Sequence, residues 1–170
     1  MRKTLLHLLR SSNSGQTLIE VVVAVGLVVL VLTTLASGIA IGVRNNRVAR
    51  DQASAKEYVR QSLEWARNIR DQAGWEAYAT IIKSTNGGVY CLPALPATYQ
   101  LFNGSNTSNC SSSNVILAAD GSPTVFRREL KFTKSGGTPP TQIAVEAKVT
   151  WIDGARTLTS ISTLTLYPWK

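Results

Sequence analysis

The amino-acid sequence predicts an α+β protein: a long N-terminal helix, half membrane-spanning and half amphipathic, packed on a small C-terminal antiparallel β-sheet. Three observations carry that prediction. Residues 21–43 contain neither a charge nor a proline, and at about 1.5 Å per residue such a run crosses a hydrocarbon core of roughly 30 Å. Residues 44–73 continue without glycine or proline and repeat apolar side chains at three- and four-residue spacing, the mark of one helical face. From residue 125 onward the period changes to two, the mark of half-buried strands.

Length and composition agree with this division. The chain has 170 residues, 44% of them hydrophobic, which suits one modest domain plus the apolar segment. Arg2, Lys3 and Arg10 precede the apolar run, with no acid before Glu20, and supply three charges of the net +8. The bias left on the rest of the chain is mild and does not by itself call for nucleic acid.

Residues 1–43 admit three readings. In a secretory signal, Ala36-Ser37-Gly38 would be the small-residue cleavage site, but the region before the apolar run is 20 residues long and holds Glu20. A plain signal anchor explains the span and leaves "SGQTLIE" unused. In the third reading, a short basic leader, then Gly15-Gln16-Thr17-Leu18-Ile19-Glu20, then about 20 apolar residues, resembles the N-terminal signature of type IV prepilins and of type II secretion pseudopilins. The family usually has phenylalanine at the first mature position, where this chain has Gln16.

That resemblance implies a leader of residues 1–15, cleaved by a prepilin peptidase between Gly15 and Gln16, with Gln16 becoming the methylated N-terminus. It also implies that the apolar helix stays on the mature protein and that Glu20, the fifth mature residue, pairs with the N-terminal amine of a neighbouring subunit. A carboxylate in hydrocarbon costs several kcal/mol unless paired or neutralised, so such pairing would act as a register signal. A second role is open to the same residue: Thr17-Leu18-Ile19-Glu20 fits a capping box, in which Glu20 satisfies a helix N-terminus.

Arg2, Lys3 and Arg10 before the span balance Arg44, Arg47 and Arg50 after it, so the positive-inside rule gives no orientation. A cytoplasmic N-terminus in the inner membrane, followed by a periplasmic or extracellular filament, is what the resemblance implies. Within the span, residues 16–43, Gly38 and Gly42 form a GxxxG pair that permits close helix packing.

Residues 44–73 present Ala55, Tyr58, Val59, Leu63, Ala66, Ile69 and Ala73 on one face. Opposite lie helical charge pairs, Glu57 with Arg60, Arg60 with Glu64, Glu64 with Arg67 and Arg67 with Asp71. A helix from Thr17 to about Gln72 would be roughly 80 Å long.

Residues 74–124 read as a variable loop region. Gly87-Gly88, Pro93, Pro96 and "NGSNTSNCSSSN" from Asn103 to Asn114 are turn chemistry. The N-x-S/T triplets at Asn103, Asn106 and Asn109 arise easily from such composition. Cys91 and Cys110 are the two cysteines; outside the cytoplasm they read as a disulfide, otherwise as two separate thiols.

Residues 125–170 read as the sheet. Phe126, Arg128, Leu130 and Phe132 alternate with Arg127, Glu129 and Lys131; after the turn "GGTPP", Ile143, Val145, Ala147, Val149 and Trp151 form a second stripe. Asp153-Gly154 signals a hairpin, and Leu158–Tyr167 supplies a third strand rich in threonine. This closing hairpin makes the chain most like a minor pilin or minor pseudopilin, in pattern.

The single histidine, His7, lies in the leader, which removes Ser-His-Asp and most zinc arrangements from the mature chain. No P-loop, GxSxG or GxGxxG occurs. Asp120, Glu129, Glu146 and Asp153 are the carboxylates that could meet in space. The expectation is a non-enzymatic filament subunit without metal or cofactor, whose partners are the prepilin peptidase, other pilin or pseudopilin subunits and the inner-membrane assembly platform. The alternative is a single-pass anchored ectodomain with a surface- or DNA-binding role, using Arg127, Arg128, Lys131 and Lys134 with Trp75, Trp151 and Trp169 for stacking.

Overall fold

The computed structural model describes residues 14–82, 89–101, 106–107, 110–111 and 113–169. The first thirteen residues with Arg2, Lys3, His7 and Arg10, the Gly87-Gly88 pair, and the triplet asparagines Asn103 and Asn109 lie outside the described residues. The chain divides into two units, residues 1–47 and 48–170.

Helix α1 (Ser14–Ala73) runs through both units. It begins three residues before Thr17, so Thr17 is inside the helix and the capping-box reading of Thr17 and Glu20 is not realised. Within the second unit, Ala55, Val59, Ser62, Ala66 and Ile69 are buried at alternating four- and three-residue steps, which is the apolar face the spacing predicts. On the outer face Arg60 bridges Glu57 at 2.8 Å and Glu64 at 3.2 Å. The expected Arg67–Asp71 pair does not form among the described residues: Arg70 takes Asp71 at 2.7 Å, since a neighbouring guanidinium reaches the same carboxylate.

Gly74 ends the helix. Its φ of 77° lies in the left-handed region that glycine enters without steric cost. Its N–H donates to the Arg70 carbonyl at 2.9 Å, and its own carbonyl accepts from Tyr78 N–H at 2.9 Å to open α2 (Trp75–Ile81).

The segment read as loop is more ordered than its composition suggests. Besides α2 it carries β1 (Val89–Cys91), a 3-10 turn (Tyr99–Leu101), β2 (Asn106–Thr107) and β3 (Val115–Leu117). All are too short to establish a period. α2, β1 and β3 are specified by what they pack against: Tyr78, Ile82, Tyr90, Leu92 and Ile116 are all buried in the common core.

The long strands are β4 (Pro123–Ser135), β5 (Gln142–Asp153) and β6 (Arg156–Leu166). The six strands form one antiparallel sheet in the order β2-β1-β4-β5-β6, with β3 beside β4. Register runs from Arg127↔Thr150 to Ser135↔Gln142 between β4 and β5, and from Ile143↔Leu166 to Asp153↔Arg156 between β5 and β6. The β5–β6 turn is Gly154-Ala155, one residue beyond the expected Asp153-Gly154, with Gly154 at φ 61°. A glycine of positive φ at the first central position suits a two-residue hairpin. Between β4 and β5, Gly136 has φ 92°, and a Cβ there would meet Thr141 Oγ1 and lie 2.8 Å from Thr141 N.

The inner face of the sheet carries Phe126, Leu130, Phe132, Ile143, Val145, Ala147, Val149, Trp151 and Leu166, all buried against α1 and α2. Rings link the layers: Tyr58 of α1 stands 5.3 Å from Phe126, and Phe126 5.8 Å from Trp151. Burying side chains of this size contributes roughly 1.5–3 kcal/mol each.

Candidate functional site

The first unit presents the candidate assembly segment. Leu18 to Val43 expose every large apolar side chain, each more than half accessible, and α1 is long and apolar enough to cross a membrane by length and composition. The three hydroxyl side chains between Leu18 and Val43 are satisfied within the helix. Thr33 Oγ1 donates to the Leu30 carbonyl at 2.9 Å, Thr34 Oγ1 to Val31 at 2.8 Å, and Ser37 Oγ to Thr34 at 2.8 Å. Hydroxyls bonded to their own helix are compatible with hydrocarbon surroundings, where an unsatisfied group costs several kcal/mol.

Gly15 and Gln16 fall in the first turn of α1, and Glu20 in its second. Glu20 is exposed and makes no ion pair among the described residues. A Cβ added at Gly38 or Gly42 would meet nothing within 4 Å. The GxxxG pair is thus open.

In the second unit, Cys91 at the end of β1 is bonded to Cys110, with Cα atoms 5.5 Å apart. The bond ties the chain following β2 to the sheet, where Cys110 Sγ also lies 3.9 Å from the Arg128 carbonyl.

The four basic residues considered for nucleic acid do not form one patch. Arg128 is 3% exposed. It lies on the inward side of β4 with its guanidinium 5.8 Å from the Tyr58 ring centre, and burial pushes its pKa down to about 10. Lys134 turns to α2, where its Nζ donates to the Ala79 carbonyl at 2.5 Å, capping the last turn as a cation at a helix C-terminus does; burial lowers its pKa. Arg127 and Lys131 remain on the outer face. There Lys131 stands directly across from Glu146, and Glu129 bridges Lys148 at 2.9 Å, so acids and bases face each other across the two strands.

The aromatic residues are also engaged. Trp75 Nε1 donates to the Pro140 carbonyl at 2.8 Å and Trp65 Nε1 to Pro96 at 2.8 Å. Trp151 is buried, and Arg70 stacks 4.7 Å from the Trp169 ring centre. Of the carboxylates, Asp120 is held in its own turn by Ser122 N–H at 2.9 Å and Ser122 Oγ at 2.6 Å, bonds that lower its pKa. No group of three or more potential metal ligands occurs among the described residues.

Sequence reasoning missed the Lys134 and tryptophan anchors, since their acceptors are backbone carbonyls 31 to 65 positions away. The inward place of Arg128 was legible, because it interrupts the Phe126, Leu130, Phe132 stripe. Comparison with protein-family models, with curated proteins and with solved structures found no match for this chain.

Proposed function

We propose that this protein is a non-enzymatic structural subunit of a type IV pilus or type II secretion filament, of the minor pilin or minor pseudopilin kind. The observation that carries the reading is Gly15-Gln16-Thr17-Leu18-Ile19-Glu20 at the start of a continuous helix whose next 23 residues are uncharged. The small antiparallel sheet packed on the later half of that helix supports it.

In this reading a prepilin peptidase cuts after Gly15 on the cytoplasmic side and methylates Gln16. The apolar helix then holds the subunit in the inner membrane until the assembly platform moves it into the filament. Glu20 is the one charge between the cut and Arg44. Its desolvation, costing several kcal/mol when unpaired, disfavours any position except one that offers a cation, and the amine of a neighbouring subunit's new N-terminus is such a cation. Helix packing through Gly38 and Gly42 would accompany insertion.

The test is the mature N-terminus, read by mass spectrometry from cells with and without the peptidase. A peptide beginning at methylated Gln16, absent without the peptidase, is expected. An intact Met1, or a start near Ile39, would replace this reading with an anchored ectodomain or an ordinary secretory signal.

A further inference from the structure

Strand β6 closes one side of the sheet: it pairs with β5, and no described strand lies beyond it. The strands on the other side are short, two residues in β2 and three in β3, which is one way proteins blunt a sheet edge. β6 is not blunted. It runs for 11 residues, and from Thr157 to Leu166 it carries no charge, no proline and no glycine.

The order of its residues is symmetric. Thr157-Leu158-Thr159-Ser160-Ile161-Ser162-Thr163-Leu164-Thr165 reads the same in both directions about Ile161. Burial largely follows the same symmetry: Leu158 and Leu164 are both half-buried on the inner side, while Thr157, Thr159, Ile161, Thr163 and Thr165 are exposed. Ile161, at the centre, is 56% exposed, an uncommon place for a large apolar side chain on a free edge.

An antiparallel partner reverses the sequence it faces. Two copies of β6 related by a twofold axis at Ile161 therefore match like with like at every position: Thr157 with Thr165, Leu158 with Leu164, Thr159 with Thr163, Ser160 with Ser162, and Ile161 with itself. Threonine pairs and β-branched pairs directly opposite one another are favourable cross-strand neighbours, each contributing roughly 0.2–1 kcal/mol. A surface that is its own complement under a twofold is what an isologous dimer requires.

The surroundings admit the second strand. A groove of about 330 Å³ lies between α1 and the centre of β6, lined by Lys56, Val59, Arg60, Leu63, Ser160 and Ser162 among others. Lys56 and Arg60 are offset by Glu57 and Glu64, both bonded to Arg60, so joining two such grooves brings no net charge together.

We propose that β6 is a homodimerisation edge: two copies pair their β6 strands antiparallel about Ile161 and continue one sheet into the other. The inference concerns the folded domain and holds whichever way the N-terminal processing test falls.

The experiment uses the full chain in detergent, with single Ile161→Cys, Thr157→Cys and Ile152→Cys substitutions and a short thiol crosslinker. Both native cysteines are in the disulfide, so each introduced thiol is the one free thiol. In the proposed dimer the two Ile161 positions face each other with Cβ atoms about 5 Å apart, whereas Thr157 lies about 27 Å from its own copy, eight residues along the strand. Ile152 is as exposed but belongs to β5. The expected result is a product of twice the subunit mass from Ile161→Cys, at least about tenfold above the other two. Equal crosslinking at all three positions, no dimeric product, or a product joined to a different protein would overturn the proposal. Sedimentation of Ile161→Lys provides an independent reading. Two like charges at the axis should weaken association at least about tenfold, with near-UV circular dichroism unchanged; association equal to that of the unsubstituted chain, or an unsubstituted chain that is monomeric throughout, would also overturn it.

Discussion

Arg128, 3% exposed with its guanidinium beside the Tyr58 ring, keeps its charge at neutral pH without a carboxylate among the described residues. Its Nε has no hydrogen-bond partner there either. Burial holds the pKa near 10, below the ordinary 12.5, a cost on the order of 3 kcal/mol at neutral pH, partly offset by the ring contact. Because the folded value is the lower one, the cost is present in full below about pH 10 and is relieved as pH rises above it. Arg128→Met fills the same space without the charge, so its melting temperature should equal or exceed that of the parent, with the difference shrinking above about pH 10. A fall of several degrees in thermal unfolding at neutral pH would show that the guanidinium is paired. Glu20 differs: it is exposed, and in the proposed reading its energetic role belongs to assembly. Glu20→Ala should leave cleavage at Gly15 intact while lowering the amount of protein recovered in filaments, and undiminished recovery would remove its proposed role.

At the scale of elements, legibility followed length. α1, β4, β5 and β6 each run for 11 residues or more, long enough for side-chain period to reveal which face is buried, and even the inward Arg128 could be placed. α2, β1, β2 and β3 run for two to seven residues. Within so few positions Tyr78, Tyr90 and Ile116 look like isolated apolar residues in a loop, and only the core around them gives them a shape. Local ion pairs were legible where one partner was available, as at Glu57, and not where Arg67 and Arg70 both stand near Asp71. The disulfide is the main covalent constraint on this region, closing a separation of 19 residues. Replacing both Cys91 and Cys110 by alanine should reduce stability by about 3 kcal/mol in denaturant unfolding. A change under about 1 kcal/mol would mean that the short strands hold this segment without it.

For the molecule as a whole, the buried core among the described residues lies within residues 55–166, inside the second unit. A chain beginning at Val48 should therefore fold alone, keep its near-UV circular dichroism, and melt within about 4 °C of the full chain in the same detergent. Loss of the cooperative transition would show that the apolar segment is needed for the fold. The sequence made this division legible through the change from an uncharged run to an amphipathic face, while it held no sign of which outward side chains would be occupied. One consequence follows from Thr33, Thr34 and Ser37, whose hydroxyl protons are all committed to their own helix. Each hydroxyl has a single proton to give, so a neighbouring helix finds hydrocarbon and lone pairs there and no donor. A companion helix could therefore donate to these hydroxyl oxygens but receive no hydrogen bond from them. In the proposed filament, selection among companions would then fall to Glu20, to the close approach that Gly38 and Gly42 allow, and to the folded domain.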